Sequence, residues 1–161
     1  MKKWFVFVLN VLLLLSLGAC KQEKALSVSF DAIQTDYEGV SAQIVEGAWK
    51  DGELNLTLSL RNETEHLVIY GESFVVEREE DGQWVWCQAV ENAVFTQLAY
   101  LLDPGETKEE TYILTFPFVI NEAGKYRFRT EFSVDEQNDW GKIVPNNSVG
   151  GQLWAEFTVT K

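Results

Sequence analysis

The sequence predicts an all-β domain, an antiparallel β-sandwich of two sheets with about seven to nine strands, downstream of an export segment. The first reason is an alternation of period two, clearest where Leu54, Leu56, Leu58 and Leu60 are separated by polar residues. The second is turn chemistry that recurs about every 8 to 12 residues. The third is that no stretch combines a sustained period of 3.6 residues with helix caps. We therefore expect strands with one buried face and one solvated face.

The export segment occupies residues 1–19 and has the features of a signal peptide. Two lysines precede an apolar stretch that runs from Trp4 to Leu17. This stretch is short for a bilayer core, which needs roughly 20 apolar residues. Cleavage is therefore favoured over the alternative, a permanent membrane span.

The end of this segment, Leu17-Gly18-Ala19-Cys20, resembles the lipobox of bacterial lipoproteins. The resemblance implies that the Cys20 sulfur receives a diacylglyceryl group and that the chain is cut before Cys20. Acyl chains contribute about 0.8 kcal/mol per buried methylene, so such an anchor would hold the protein on the outer face of the bacterial cell membrane. Ordinary secretion, with Cys20 left as a free thiol, is the alternative.

Charge and cysteine content exclude several classes of protein. The chain has 13 Lys and Arg against 25 Asp and Glu, and removal of Lys2 and Lys3 with the signal peptide makes the net charge still more negative. Such a surface repels phosphate backbones, so nucleic acid is not expected as a partner. Two cysteines are too few for a disulfide-rich scaffold or a cysteine-based zinc module. No cofactor is implied.

The mature chain divides into two parts. Residues 20–38 are predicted to form a lipid-anchored tether, with a possible edge strand around Leu26, Val28 and Phe30. Residues 39–161 are predicted to form the sandwich.

Turn signals place the strands within the sandwich. Asp51-Gly52 precedes the leucine strand, Asp81-Gly82 suits a tight hairpin turn that needs positive φ, and Asp103-Pro104-Gly105 sets a later turn. The strands predicted around these turns are residues 54–60, 74–78, 83–86, 112–116, 126–134 and 153–159. Val90 to Leu102 is predicted to be strand plus loop, and a helix is the alternative.

Four short motifs in order resemble a bacterial immunoglobulin-like domain found in lipoproteins and other cell-surface proteins. They are Tyr70 to Phe74, Asp81 to Trp84, Leu102 to Glu106 and Ala123 to Phe128. The resemblance implies an immunoglobulin-like sandwich at the cell surface without an assigned activity. It also implies that Tyr126 is a structural tyrosine corner, whose hydroxyl bonds the backbone a few residues upstream. The paired inter-sheet cysteines of antibody-type domains are absent.

Tryptophans are the main binding candidates. Trp84 and Trp86 are two residues apart on a predicted strand, so their side chains share a face. We expect that face to point inward, with both residues in the core beside the leucine strand. An outward face is the alternative and would present an aromatic platform to a sugar ring or a protein. Trp140, in the long loop from 135 to 151, is a further candidate binding residue.

No familiar catalytic or metal-binding pattern is matched. Asp135 and Asp139 are the best calcium candidates, but their loop departs from the calcium-loop pattern, and a plain acidic loop is the preferred interpretation. His66 is the only histidine, and Ser73 lacks the second glycine of a nucleophile elbow.

The expected function is therefore a non-catalytic cell-surface lipoprotein that acts as a binding or interaction module. Its expected partners are the membrane, through Cys20, and an envelope protein or an extracellular ligand. The alternatives are a carbohydrate-binding module that uses surface tryptophans and an envelope enzyme with a carboxylate or calcium site.

Overall fold

The computed structural model describes residues 26–136 and 148–161, which form ten strands in two antiparallel sheets. In these two ranges no helix has the length and apolar character needed to cross a membrane. The strands are β1 (Ser27–Phe30), β2 (Gln34–Thr35), β3 (Val40–Lys50), β4 (Glu53–Asn62), β5 (Leu67–Glu80), β6 (Gln83–Trp86), β7 (Ala99–Leu102), β8 (Thr107–Ile113), β9 (Gly124–Asp135) and β10 (Ser148–Thr160).

The two sheets differ in size. The larger has the order β1-β10-β9-β5-β6, with β2 also paired to β10 and β7 also paired to β5. The smaller has the order β3-β4-β8. The predicted all-β sandwich is therefore confirmed, and the segment from 90 to 98 is loop that leads into β7, so the strand-plus-loop interpretation is also confirmed.

The core lies between the sheets, where the alternating residues of both inner faces meet. Leu54, Leu56, Leu58 and Leu60 of β4 are at most 3% exposed. Opposite them, β9 buries Tyr126, Phe128, Phe132 and Val134. Burial of each of these large side chains contributes about 1.5–3 kcal/mol, which makes this layer the main stabilising element.

Two Asp-Gly turns fix the hairpins. Asp51 and Gly52 have φ of 51° and 86°, and Asp81 and Gly82 have φ of 51° and 77°. Positive φ at both central residues is the geometry of a two-residue hairpin turn that matches the twist of the strands. The tight turn predicted at Asp81-Gly82 is confirmed, and it sets the register of β6 on β5.

The predicted tether contains the first two strands. β1 pairs with the end of β10, from Ser27 opposite Thr160 to Phe30 opposite Phe157. The Phe30 ring stacks on Phe157 at 4.9 Å between centroids. Within the described residues the larger sheet therefore includes Ser27–Phe30, and this first strand is an edge of that sheet.

β5 contains a large bulge. Tyr70 pairs with Phe132 and Phe74 pairs with Thr130, so β5 advances four residues while β9 advances two. Both aromatic residues of β5 are buried despite this irregularity. Between them the pairing with β9 is interrupted, although Gly71 stays paired with Ala99 of β7, and Glu72 is turned away from β9.

Asn62 joins the ends of the two sheets. It is fully buried, and its Nδ2 donates to the carbonyl oxygens of His66, at 2.8 Å, and Leu102, at 2.9 Å. Its Oδ1 accepts from the backbone N and the hydroxyl of Thr64, at 2.9 and 2.7 Å. Every hydrogen-bonding group of this buried amide is therefore satisfied.

Replacement of Asn62 by alanine is expected to lower the free energy of unfolding by about 2–3 kcal/mol, because buried backbone groups lose their partners. Urea denaturation measures the change. The matched control is Asn55→Ala, since the one side-chain bond of Asn55 to the described residues goes to the Glu53 carbonyl, two residues away on the same strand. Equal losses for the two variants would contradict this role of Asn62.

Candidate functional site

The prediction that Trp84 and Trp86 face the core beside the leucine strand is wrong. β6 pairs with β5 in the larger sheet, with Trp84 opposite Glu79 and Trp86 opposite Glu77. Directly opposed residues share a face, and Glu77 and Glu79 lie on the face opposite the buried Val76. Both tryptophans therefore point outward, and Trp86 is 66% exposed.

Trp84 is covered by cations of the neighbouring strand β9. The Arg127 guanidinium carbon lies 4.6 Å from the centroid of the Trp84 ring, and the Lys125 ammonium nitrogen lies 5.5 Å from it. These are cation–π contacts. Trp84 therefore packs under charged side chains, and Trp86 is the more accessible ring of the pair.

Charges on this outer face compensate each other. The Glu77 side chain is 6% exposed, and its Oε2 accepts from Arg127 Nε at 2.7 Å and Nη2 at 2.6 Å. Arg129 Nη2 lies 3.7 Å from the other carboxylate oxygen. A buried carboxylate is tolerated when cations hold it in this way.

A shallow groove of about 280 Å³ runs beside Trp86. Its polar lining includes Arg129 and Glu131, and Phe95 forms one wall. Within the described chain the Arg129 Nε atom is buried and has no hydrogen-bond acceptor. An aromatic ring beside a planar cation and a carboxylate can contact a sugar.

Exposed apolar side chains concentrate on two paired segments next to this groove. The backbone N of Val90 donates to the Pro117 carbonyl and that of Val119 donates to the Gln88 carbonyl, both at 2.9 Å. This pairing places the loop after β6 beside the turn after β8. We call the exposed residues on these segments the apolar patch. They are Trp86, Val90, Val94, Phe116 and Val119, with exposures of 66%, 38%, 78%, 59% and 37%.

A second groove of about 320 Å³ opens beside the patch, between the loop and β8, and we call it the aromatic groove. Its apolar walls are Phe74, Val94, Phe95, Tyr112, Ile113 and Phe116. Its polar lining is formed by Glu72, Thr96, Glu110 and Thr111. The β5 bulge supplies Glu72, and the inward face of β8 supplies Glu110.

The two carboxylates have different surroundings. The Thr96 hydroxyl donates to Glu72 Oε2 at 2.5 Å, and the Tyr100 hydroxyl donates to Oε1. These bonds hold the pKa of Glu72 below its ordinary value and raise the pKa of Tyr100 to about 12. Burial, with a smaller contribution from the nearby Glu72 charge, raises the pKa of Glu110.

A wider crevice of about 730 Å³ lies on the other side of Phe95 and shares Glu72 and Thr96 with the aromatic groove. It adds the carboxylates of Asp36 and Glu131. No lysine, arginine or histidine is among the described residues that line either cavity. The linings of both cavities are therefore negative, in contrast to the compensated part of the outer face around Glu77.

The other predicted site residues lie elsewhere or outside the described ranges. Cys20, Asp139 and Trp140 fall outside residues 26–136 and 148–161. Asp135 ends β9, and its side chain is 1% exposed. In the described ranges no three His, Cys, Asp or Glu side chains are grouped as metal ligands.

Tyr126 makes the bond expected of a tyrosine corner. Its hydroxyl donates to the Glu122 carbonyl oxygen, four residues upstream, at 2.9 Å. The buried ring stacks on Phe157 with centroids 5.4 Å apart. Tyr126 thus ties the turn before β9 to the core.

Sequence reasoning missed Glu72, Phe95 and Phe116 as site residues. One available signal was the break of alternation at Tyr70-Gly71-Glu72-Ser73, which is typical of a bulge. The side chains that complete the groove come from β8 and from loops far away in sequence, and no local pattern brings them together.

Two facing antiparallel sheets with a tyrosine-corner bond define an immunoglobulin-like β-sandwich. The sequence matches the bacterial Ig-like domain family over residues 36–142, which is more than half of the chain, and the chain belongs to that family. Membership indicates a surface-type interaction module. A comparison with curated proteins gives no match.

Replacement of Glu110 by glutamine is expected to raise the melting temperature at pH 7.5. A raised pKa in the folded state means that the charged carboxylate opposes folding above that pKa, and the penalty disappears as pH falls and Glu110 is protonated. The gain of the variant should therefore shrink as pH is lowered towards about 4.5. Thermal unfolding across this range tests it.

The control is Glu109→Gln, on the solvent face of the same strand, which should change the melting temperature little. A lower melting temperature for Glu110→Gln at pH 7.5 would contradict the expectation.

Proposed function

We propose that this protein is a non-catalytic lipoprotein on the outer face of the bacterial cell membrane and that it binds another envelope protein through the apolar patch. The observation that carries the proposal is the distribution of exposed apolar side chains. Of the large exposed apolar residues in the described chain, all but Val45, Leu98 and Val149 lie on or beside the segments 85–90, 94 and 113–119. A concentration of exposed apolar side chains of this kind is typical of an interaction site.

The composition of the patch suits a protein partner. Trp86 and Phe116 are large aromatic side chains, the type that contributes most to binding at interface centres. Burial of such a side chain contributes about 1.5–3 kcal/mol. Apart from Trp86, which ends β6, the patch is carried by loops of the sandwich, which is where binding residues of this architecture are usually placed.

Serine in place of Phe116 is expected to abolish capture of the partner, because the largest exposed ring on the turn after β8 is lost. The measurement is a pull-down from detergent-solubilised membranes with quantitative mass spectrometry. Val45→Ser is the matched control, since Val45 is 53% exposed on the edge strand β3, away from the patch. Equal recovery of the same proteins with both variants would overturn the choice of surface.

A lipid anchor on Cys20 would keep the sandwich close to the membrane. Six residues separate Cys20 from Ser27, and an extended chain spans at most about 3.3–3.6 Å per residue. A lipidated Cys20 would therefore hold β1 within roughly 25 Å of the headgroups. A partner in the same membrane would be within reach.

Cys20→Ala is expected to move the protein from the membrane fraction to the soluble or released fraction, because the thiol that carries the lipid is missing. Fractionation, together with mass spectrometry of the N-terminus, measures this. A wild-type N-terminus without acyl chains would refute the lipoprotein part of the proposal and leave the patch untouched.

A second candidate function, carbohydrate binding, is favoured by the exposed Trp86 ring beside Arg129 and Glu131. Trp86→Ala is expected to abolish binding on a glycan array without a large loss of stability, because the ring is mostly in solvent. Val85→Ala, on the same edge strand and 43% exposed, is the control. Wild-type protein that binds no glycan would remove this candidate.

A further inference from the structure

We propose that the aromatic groove binds an alkylammonium group, such as the side-chain amine of a lysine on the partner. The inference rests on the proposed function, because the groove opens beside the apolar patch and shares Val94 and Phe116 with it. It also states which chemical group of the partner would enter the aromatic groove.

The walls of the groove suit an organic cation. The Phe74 ring lies 5.1 Å from Phe95 and 5.5 Å from Tyr112, with interplanar angles of 68° and 83°. These edge-to-face contacts hold Phe95 and Tyr112 against Phe74 in the lining of the groove, and Phe116 adds an exposed ring. Aromatic faces attract ammonium groups, and the apolar walls accommodate the attached methylenes.

The charge of the groove is complementary to such a ligand. Glu72 and Glu110 line it, and no described lysine, arginine or histidine does. The nearest lysine on the inward face of β8 is Lys108, two residues before Glu110. Its ammonium nitrogen donates to the Leu101 carbonyl at 2.7 Å and pairs with Glu106 at 3.1 Å, so it is engaged elsewhere.

A buried carboxylate on the outer face of the larger sheet, Glu77, differs from Glu110 in its surroundings. There the buried Glu77 is held by Arg127 and Arg129 from the protein itself. The described chain provides no such cation for Glu110, which lies partly buried beside a second carboxylate. A cation from outside would supply the missing charge.

Size limits the ligand. A volume of about 320 Å³ is at the small end of ligand cavities, which span roughly 300–1,000 Å³. It suits one side chain or head group. A hydrated divalent cation is a poor match, because most of the lining is aromatic and aliphatic, whereas calcium takes six to eight oxygen ligands.

The test is a ligand-observed NMR titration of the full-length protein in detergent micelles with n-butylammonium, and with 1-butanol as the uncharged analogue. We expect saturable binding of the ammonium and none of the alcohol. Glu110→Gln should weaken binding at least tenfold, and Glu109→Gln, on the solvent face of β8, should not. Equal binding of the alcohol, no binding of the ammonium, or unchanged affinity in Glu110→Gln would overturn the proposal.

A second pair of probes distinguishes two sources of the same chemistry. N-acetyl-lysine methylamide represents a protein side chain, and phosphocholine represents a lipid head group. Tighter binding of the lysine amide supports a protein partner. Exclusive binding of phosphocholine would overturn the assignment to a lysine.

The amine-binding experiment and the pull-down can fail independently of each other. If no amine binds while Phe116→Ser still loses the partner, only this inference fails. If amines bind and the pull-down shows no loss with Phe116→Ser, the groove is a ligand site and the proposed surface fails. A melting temperature of Glu110→Gln at or above that of the wild type excludes unfolding as the cause of lost binding.

Discussion

The register of β5 is the constraint on which the rest of the molecule depends. This strand pairs with β9 along one edge and with both β6 and β7 along the other. A slip of one residue would exchange its buried and exposed faces, so the core fixes the register. The bulge between Tyr70 and Phe74 keeps both rings in the core while it adds two residues to the strand. Those extra residues turn Glu72 outward and create the start of the site.

The loop from 90 to 98 completes what the bulge begins. Phe95 packs against Phe74, and Thr96 donates to Glu72, so the loop is held at the bulge by one apolar and one polar contact. Its backbone also pairs with the turn after β8, which closes this side of the sandwich only partly. The two cavities and the apolar patch therefore share one structural origin. Around Glu77, by comparison, the outer face of the larger sheet is packed and charge-compensated, because Glu77 pairs with Arg127 and the Arg127 guanidinium lies over the Trp84 ring.

The sequence predicts those parts of the fold that are determined by residues close together in the chain. The leucine strand and the Asp-Gly hairpins are specified by residues close together in the chain, and both were predicted. The orientation of Trp84 and Trp86 was wrong, because β6 has no polar alternation of its own that selects a face. The turn at Asp81-Gly82 could have corrected it, since a two-residue hairpin places these rings opposite Glu79 and Glu77.

The candidate site could not be predicted from local sequence patterns. The burial of Glu77 depends on arginines of β9, about 50 residues later in the sequence, and no spacing rule relates them. The aromatic groove likewise needs β5, the 90–98 loop and β8 to meet in three dimensions. When the role of a residue depends on such long-range contacts, that role is the hardest to predict from a single sequence.

We propose that ligands and partners bind beside the β5 bulge, and binding there would perturb this part of the chain and leave the rest unchanged. Protein-observed NMR of the isotope-labelled chain with n-butylammonium tests this most directly, because each backbone amide reports separately. We expect chemical-shift changes confined to residues 70–74, 94–98 and 110–116. Changes centred instead on β3, on the outer face of β10 or on residues 137–147 would contradict it.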